Sequence, residues 1–203
     1  MINTNILVYS QYHGTITITF DAKDEVSRKA DFREYVYLSC SSTNCRISFL
    51  NQYKNLSYFF SRALNNTDKI KSISITKFKI ISNNLKGMFR DCKSVTKISG
   101  LELINTSEVA DMSEMFCWYN KFLEFDISSF NTSLVKNMSH MFYNVPKETI
   151  GVSNFNTSLV ENMSNMFGKE QNFHEGKVTG LVGFDTSKVT HVFMESRIRF
   201  IQF

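Results

Sequence analysis

The chain has 203 residues, of which 42% are hydrophobic and 21% charged, with one proline and eight glycines. That length can enclose a real core, and the composition leaves little room for long disordered linkers. The net charge of +4 comes from scattered basic residues, with no dense Lys/Arg run and no aromatic-basic platform, which argues against nucleic-acid binding. No stretch approaches eighteen apolar residues, and the N-terminus lacks a basic head, an apolar run and a small-residue cleavage site. Neither a membrane span nor a signal peptide is therefore expected.

In the first 45 residues, GTITITFDA and REYVYLSC alternate in strand fashion, and the polar DAKDEVSRKADF between them reads as a turn or short helix. We read residues 1–45 as a β-rich N-terminal cap that covers whatever repeats behind it. Four cysteines, Cys40, Cys45, Cys92 and Cys117, match no CxxC pair or zinc framework. Cys92 and Cys117 are expected to be unpaired and buried, whereas Cys40 and Cys45 alone lie close enough in sequence for a bond to be considered.

From residue 46 onward the sequence repeats. NTSEVADMSEMF (105–116), NTSLVKNMSHMF (131–142) and NTSLVENMSNMF (156–167) are copies, with fainter relatives ending at Phe60 and Phe89 and another over 185–193. The terminal phenylalanines at 60, 89, 116, 142 and 167 are spaced by 29, 27, 26 and 25 residues, the size of one rung of a solenoid. The first half of each copy carries apolar residues at strand spacing: Ile70, Ile73, Ile75 and Phe78; Phe122, Phe125, Ile127 and Phe130; Ile150, Val152 and Phe155. Val95, Ile98, Leu101 and Ile104 fit with one inserted residue. The second half changes period: Val135, Met138, Met141 and Phe142, like Val109, Met112, Met115, Phe116 and Val160, Met163, Met166, Phe167, fall on one face of a two-turn helix. Thr132 or Ser133 then suits its N-cap. One rung cannot enclose its own apolar residues, so neighbours must stack. The expectation is an α/β, leucine-rich-repeat-like solenoid of one short strand and one short helix per rung. It covers 46–203 in about five to six rungs, clearest over 67–193, with a spine at Phe78, Ile104, Phe130, Phe155 and Phe184.

Signs of catalysis are missing. There is no P-loop, GxGxxG, GxSxG or HExxH, and His13, His140, His174 and His191 are scattered. His140 takes the slot of Glu114 and Asn165 in sister copies, a solvent-facing one. No enzyme activity, metal or cofactor is expected. Sequons at Asn55, Asn65, Asn105, Asn131, Asn137, Asn156 and Asn162 are mostly by-products of the repeated words.

The segment FLEFDISSFNTSLVKNMSHMF (122–142) resembles the BspA-like leucine-rich-repeat surface proteins, specifically the Mycoplasma-type DUF285 repeat, whose pattern reads L-x-x-L-D-[LIV]-S-x-F-[DN]-T-S-x-V-x-x-M-x-x-M-F. The likeness covers roughly 67–193. The cysteine usual in that family shortly after Met-Phe is present as Cys92; Cys117 lies nearer, and the later copies lack it. The resemblance implies an adhesion or recognition array at a cell surface or secreted, with no catalytic residue. Against that pattern, no leader is expected from the N-terminal residues, and the rungs are few.

The outward strand positions are the natural binding surface: Ser72, Ser74 and Thr76; Lys97 and Glu102; Glu124, Asp126 and Ser128; Thr149, Gly151 and Ser153; ending near Val182. Small and rich in hydroxyls, they suit a protein or glycan surface better than a deep pocket. The alternative is a structural subunit of a larger assembly, such as a virion or surface layer. In that reading RIRFIQF at 197–203, apolar on both faces, mediates self-association.

Overall fold

The computed structural model describes residues 14–20, 36–40, 44–49, 56–63, 70–76, 80–118, 124–146, 149–170 and 177–190. Phe78, Phe122, His13, His174, His191 and the segment 197–203 lie outside them. The described residues are mostly loops, with short parallel strands and few short helices.

Strands β1 (Gly14–Phe20) and β2 (Val36–Cys40) form where the alternation of Thr and Ile, and of Val, Tyr and Leu, predicts them, and β3 (Asn44–Phe49) is a further strand over NCRISF. A short helix α1 (Phe59–Ala63) follows, then β4 (Ile70–Thr76), β5 (Ile80–Ile81) and β6 (Lys97–Ser99). Five strands make one sheet in the order β2-β3-β1-β4-β6. The pairs β2–β3, β3–β1 and β1–β4 are antiparallel, and β4–β6 is parallel, so the sheet passes from the N-terminal region straight into the repeats. Parallel pairs also join β5 to β7 (Ile104–Asn105) and β8 (Thr149–Gly151) to β9 (Lys177–Thr179).

The expected apolar positions face inward. Ile73, Ile75, Ile98, Leu101, Ile104, Phe125, Ile127, Phe130, Ile150, Val152 and Phe155 are all buried, and Phe184 is partly buried. The continuous aromatic stack, however, runs through the phenylalanines that close each copy. Phe60, Phe89, Phe116, Phe142 and Phe167 lie with successive ring centroids 5.1, 5.5, 5.7 and 5.6 Å apart and planes within 13° of parallel.

In the three clear copies, 105–116, 131–142 and 156–167, the second half is not a helix. In an α-helix each N–H reaches the carbonyl four residues back. Here the N–H groups of Met112, Glu114, Phe116 and Trp118 instead reach the carbonyls of Asn137, Ser139, Met141 and Tyr143 in the next copy, at 2.9–3.0 Å. Met138, His140, Phe142 and Asn144 do the same to Asn162, Ser164, Met166 and Gly168. The N–H groups between them close tight turns, Met115 to Met112 and Cys117 to Glu114. Each first turn needs a positive φ at its third residue, found at Gly87, Glu114, His140 and Asn165. A left-handed residue there stops helix propagation. The i, i+3, i+6 spacing of Val, Met and Met thus marks which side chains point inward, and Val109, Met112 and Met115 are indeed fully buried, but a run of turns satisfies it as well as a helix does.

The remaining letters of the repeated words have backbone duties. Asn84, Asp111, Asn137 and Asn162 are linked in series by single parallel bridges. Each side-chain Oδ1 accepts the N–H two residues on, from Lys86, Ser113, Ser139 and Ser164, at 2.8–3.0 Å. Thr132 caps no helix. Its hydroxyl bonds the backbone of Asn156 in the following copy.

Candidate functional site

The outward strand positions form rows across neighbouring copies. Parallel pairing sets Ser72 beside Lys97 and Ser74 beside Ser99, a bridge sets Lys97 beside Glu124, and farther along Thr149 lies beside Lys177 and Gly151 beside Thr179. Inward residues alternate with these, which is why Ile73 and Ile98 are buried while Lys97, Glu124, Asp126, Ser128 and Ser153 are exposed. The side chains of Thr76 and Thr149 are outside the described residues.

Polar contacts run along the rows. Lys97 Nζ stands 2.9 Å from Glu124 Oε1, and the Ser99 hydroxyl donates to the Ser74 hydroxyl at 3.1 Å. The Lys97–Glu124 pair is well exposed, so it contributes little to stability, about 0–1 kcal/mol. Asp126 accepts the Ser128 N–H at 2.8 Å, which holds its carboxylate near the bend that ends the strand position. Glu102 is placed differently. It sits in a 3₁₀ turn (Leu101–Leu103) off the strand, matched by Val182 in a second such turn (Leu181–Gly183). Ser99, Lys177 and Thr179 complete the rows and were not singled out from the sequence. The signal for them is a second repeated word, KISGLEL at 97–103 against KVTGLVG at 177–183.

A separate charged cluster lies over the turns. Glu114 Oε2 takes an ion-pair hydrogen bond from Arg90 Nη1 and a bond from the Tyr58 hydroxyl at 3.3 Å, and Lys86 Nζ is 3.7 Å from its other oxygen. Partial burial of the Arg90 guanidinium works to lower its pKa, but the attractions of Glu114, Cys117 and Asp91 together outweigh it and the net shift is upward. Beneath, burial pushes the Cys117 thiol up to about 12, with Arg90 opposing. Such a thiol is protonated at neutral pH and a poor nucleophile. His140 is half-buried, its ring edge-to-face with Tyr143 at 5.3 Å and its Nε2 3.4 Å from Asn165 Nδ2. Among the described residues no three His, Cys, Asp or Glu side chains are grouped to hold a metal ion. Among them also, no helix is long and apolar enough to cross a membrane.

The family model described as "Mycoplasma protein of unknown function, DUF285" matches residues 83–197, more than half of the chain, so the chain belongs to that family. No curated protein and no solved structure matches it.

Proposed function

We propose that this chain is a non-catalytic recognition module, a BspA-like leucine-rich-repeat solenoid whose strand face engages a protein or glycan partner at a cell surface or outside the cell. The observation that carries this reading is the in-register stacking of copies 25–27 residues apart, which turns one strand position per copy into a row of outward side chains, from the half-buried Ser72 to the exposed Lys97 and Glu124. A face of that kind is extended and shallow, suited to many weak contacts with a large partner. The test is a screen against a glycan array and a panel of matrix glycoproteins, repeated with the double variant Glu124→Lys, Asp126→Lys. Binding is expected to weaken by roughly tenfold or more with little change in thermal midpoint. Unchanged affinity removes the strand face from the proposal.

A second reading, a structural subunit of a larger particle, is favoured by one feature. The apolar residues of the last described copy, Val178, Leu181 and Phe184, are only partly buried and Val182 is 83% exposed, whereas the matching Leu101 and Ile104 are enclosed. Light scattering separates the two readings. Concentration-dependent association abolished by deleting 197–203 supports the particle subunit, and a monomer that binds an array ligand supports the recognition module.

A further inference from the structure

We propose that Cys40 and Cys45 are an oxidisable pair, closing into a disulfide across the β2–β3 hairpin when the chain meets a small-molecule disulfide. Strand β2 ends on Cys40, β3 begins at Asn44, and their antiparallel register sets Cys40 directly opposite Cys45. Directly opposed residues in such a ladder have Cα atoms roughly 4.5 or 5.5 Å apart, according to whether they exchange hydrogen bonds. Both separations fall in the range of roughly 4.4–6.8 Å that a disulfide spans. The strand register therefore sets the two positions at a separation that a disulfide spans.

The bond would act at a definite place in the sheet. Among the described strands β2 pairs with β3 alone, while β3 pairs with β1, and β1 with β4, the first strand to pair with the repeats. Closing Cys40 to Cys45 pins the outermost strand to the one that passes the register inward. The chemistry balances as thiol–disulfide exchange. One thiolate attacks the small disulfide and releases its first thiol; the second thiolate then attacks the mixed disulfide at the protein sulfur and releases the other. One S–S bond forms as one is reduced. Cys92 and Cys117 are the internal contrast, since both are buried thiols enclosed by the repeats.

The full chain is equilibrated with oxidised and reduced glutathione, denatured, alkylated and peptide-mapped without reduction. The expected map under oxidising ratios joins Cys40 and Cys45 in one linked species and leaves Cys92 and Cys117 alkylated. Separate glutathione adducts or alkylation on Cys40 and Cys45, or a bond from either to Cys92, Cys117 or a second chain, overturns the assignment. In Cys45→Ser, Cys40 is expected to stop at the glutathione adduct. The oxidised wild type is expected to melt above the reduced form, and the variant to show no such difference. A wild-type midpoint unmoved by reduction overturns the pinning role.

Discussion

Thr132 and Asn156 exchange two hydrogen bonds across neighbouring copies: the threonine hydroxyl donates to the Asn156 carbonyl at 2.9 Å and accepts the Asn156 N–H at 2.7 Å. Thr157 repeats the exchange with Asp185, and Thr106 accepts the Asn131 N–H. The threonine of each NTS word therefore serves as a rivet between copies, and all three are buried.

Replacing Thr132 by valine keeps the shape and removes both bonds. Two main-chain groups then lack their partner, and the expected loss is about 1–3 kcal/mol. Urea denaturation of Thr132→Val against wild type measures it. A loss within experimental error would show that water takes over the hydroxyl's role.

The phenylalanine stack predicts a steep dependence on its central rings. Phe116 is buried, stacked on Phe89 and on Phe142, and also lies 4.7 Å from the Phe125 ring. Phe116→Ala is expected to cost about 3–5 kcal/mol, and Phe116→Leu distinctly less. Thermal melts of the two variants check the order.

Gly100 adopts φ 80° at the corner after β6, and a Cβ there would collide with the Ile75 carbonyl of the preceding copy. Gly180, at φ 87°, stands in the same relation to the Ser153 backbone. Gly100→Ala is expected to destabilise by about 1–3 kcal/mol from backbone strain alone, with the collision adding to it. An alanine variant as stable as wild type in chemical denaturation would contradict this packing.

Much of the architecture was legible from Phe, Met and Val positions, because burial leaves a spacing in the sequence. The hydrogen-bonding scheme was not. Val109, Met112 and Met115 carry a helical spacing, yet their main chain forms turns, since the carbonyls of the next copy capture every second N–H. Nothing local to one copy reports what its neighbour offers. The same reason hid the role of Thr132, whose partner lies 24 residues away. On the strand face, Glu124 and Asp126 were readable as exposed from simple alternation. Glu102 lies off that face because Gly100, in the left-handed region, turns the chain into a 3₁₀ corner that strand alternation alone does not signal.

Cys117 gives a pH signature. Burial raises its folded-state pKa from 9.0 to about 12, so the protonated form favours the fold. Its contribution is whole below pH 9 and is lost as pH climbs toward 12, at up to about 1.4 kcal/mol per pH unit. Cys117→Ala is expected to flatten the stability profile in that window relative to wild type. Parallel profiles for the two proteins would refute the assignment.

The main-chain ladder between turns depends on no side chain that differs from one copy to the next: Met112 to Asn137 and Met138 to Asn162 are the same bond made twice. An extra copy of residues 131–155 spliced in after 155 would meet acceptors and donors at the spacing it already uses. Molecular length is thus an adjustable quantity in this design, and reach toward a target could be extended by duplication alone.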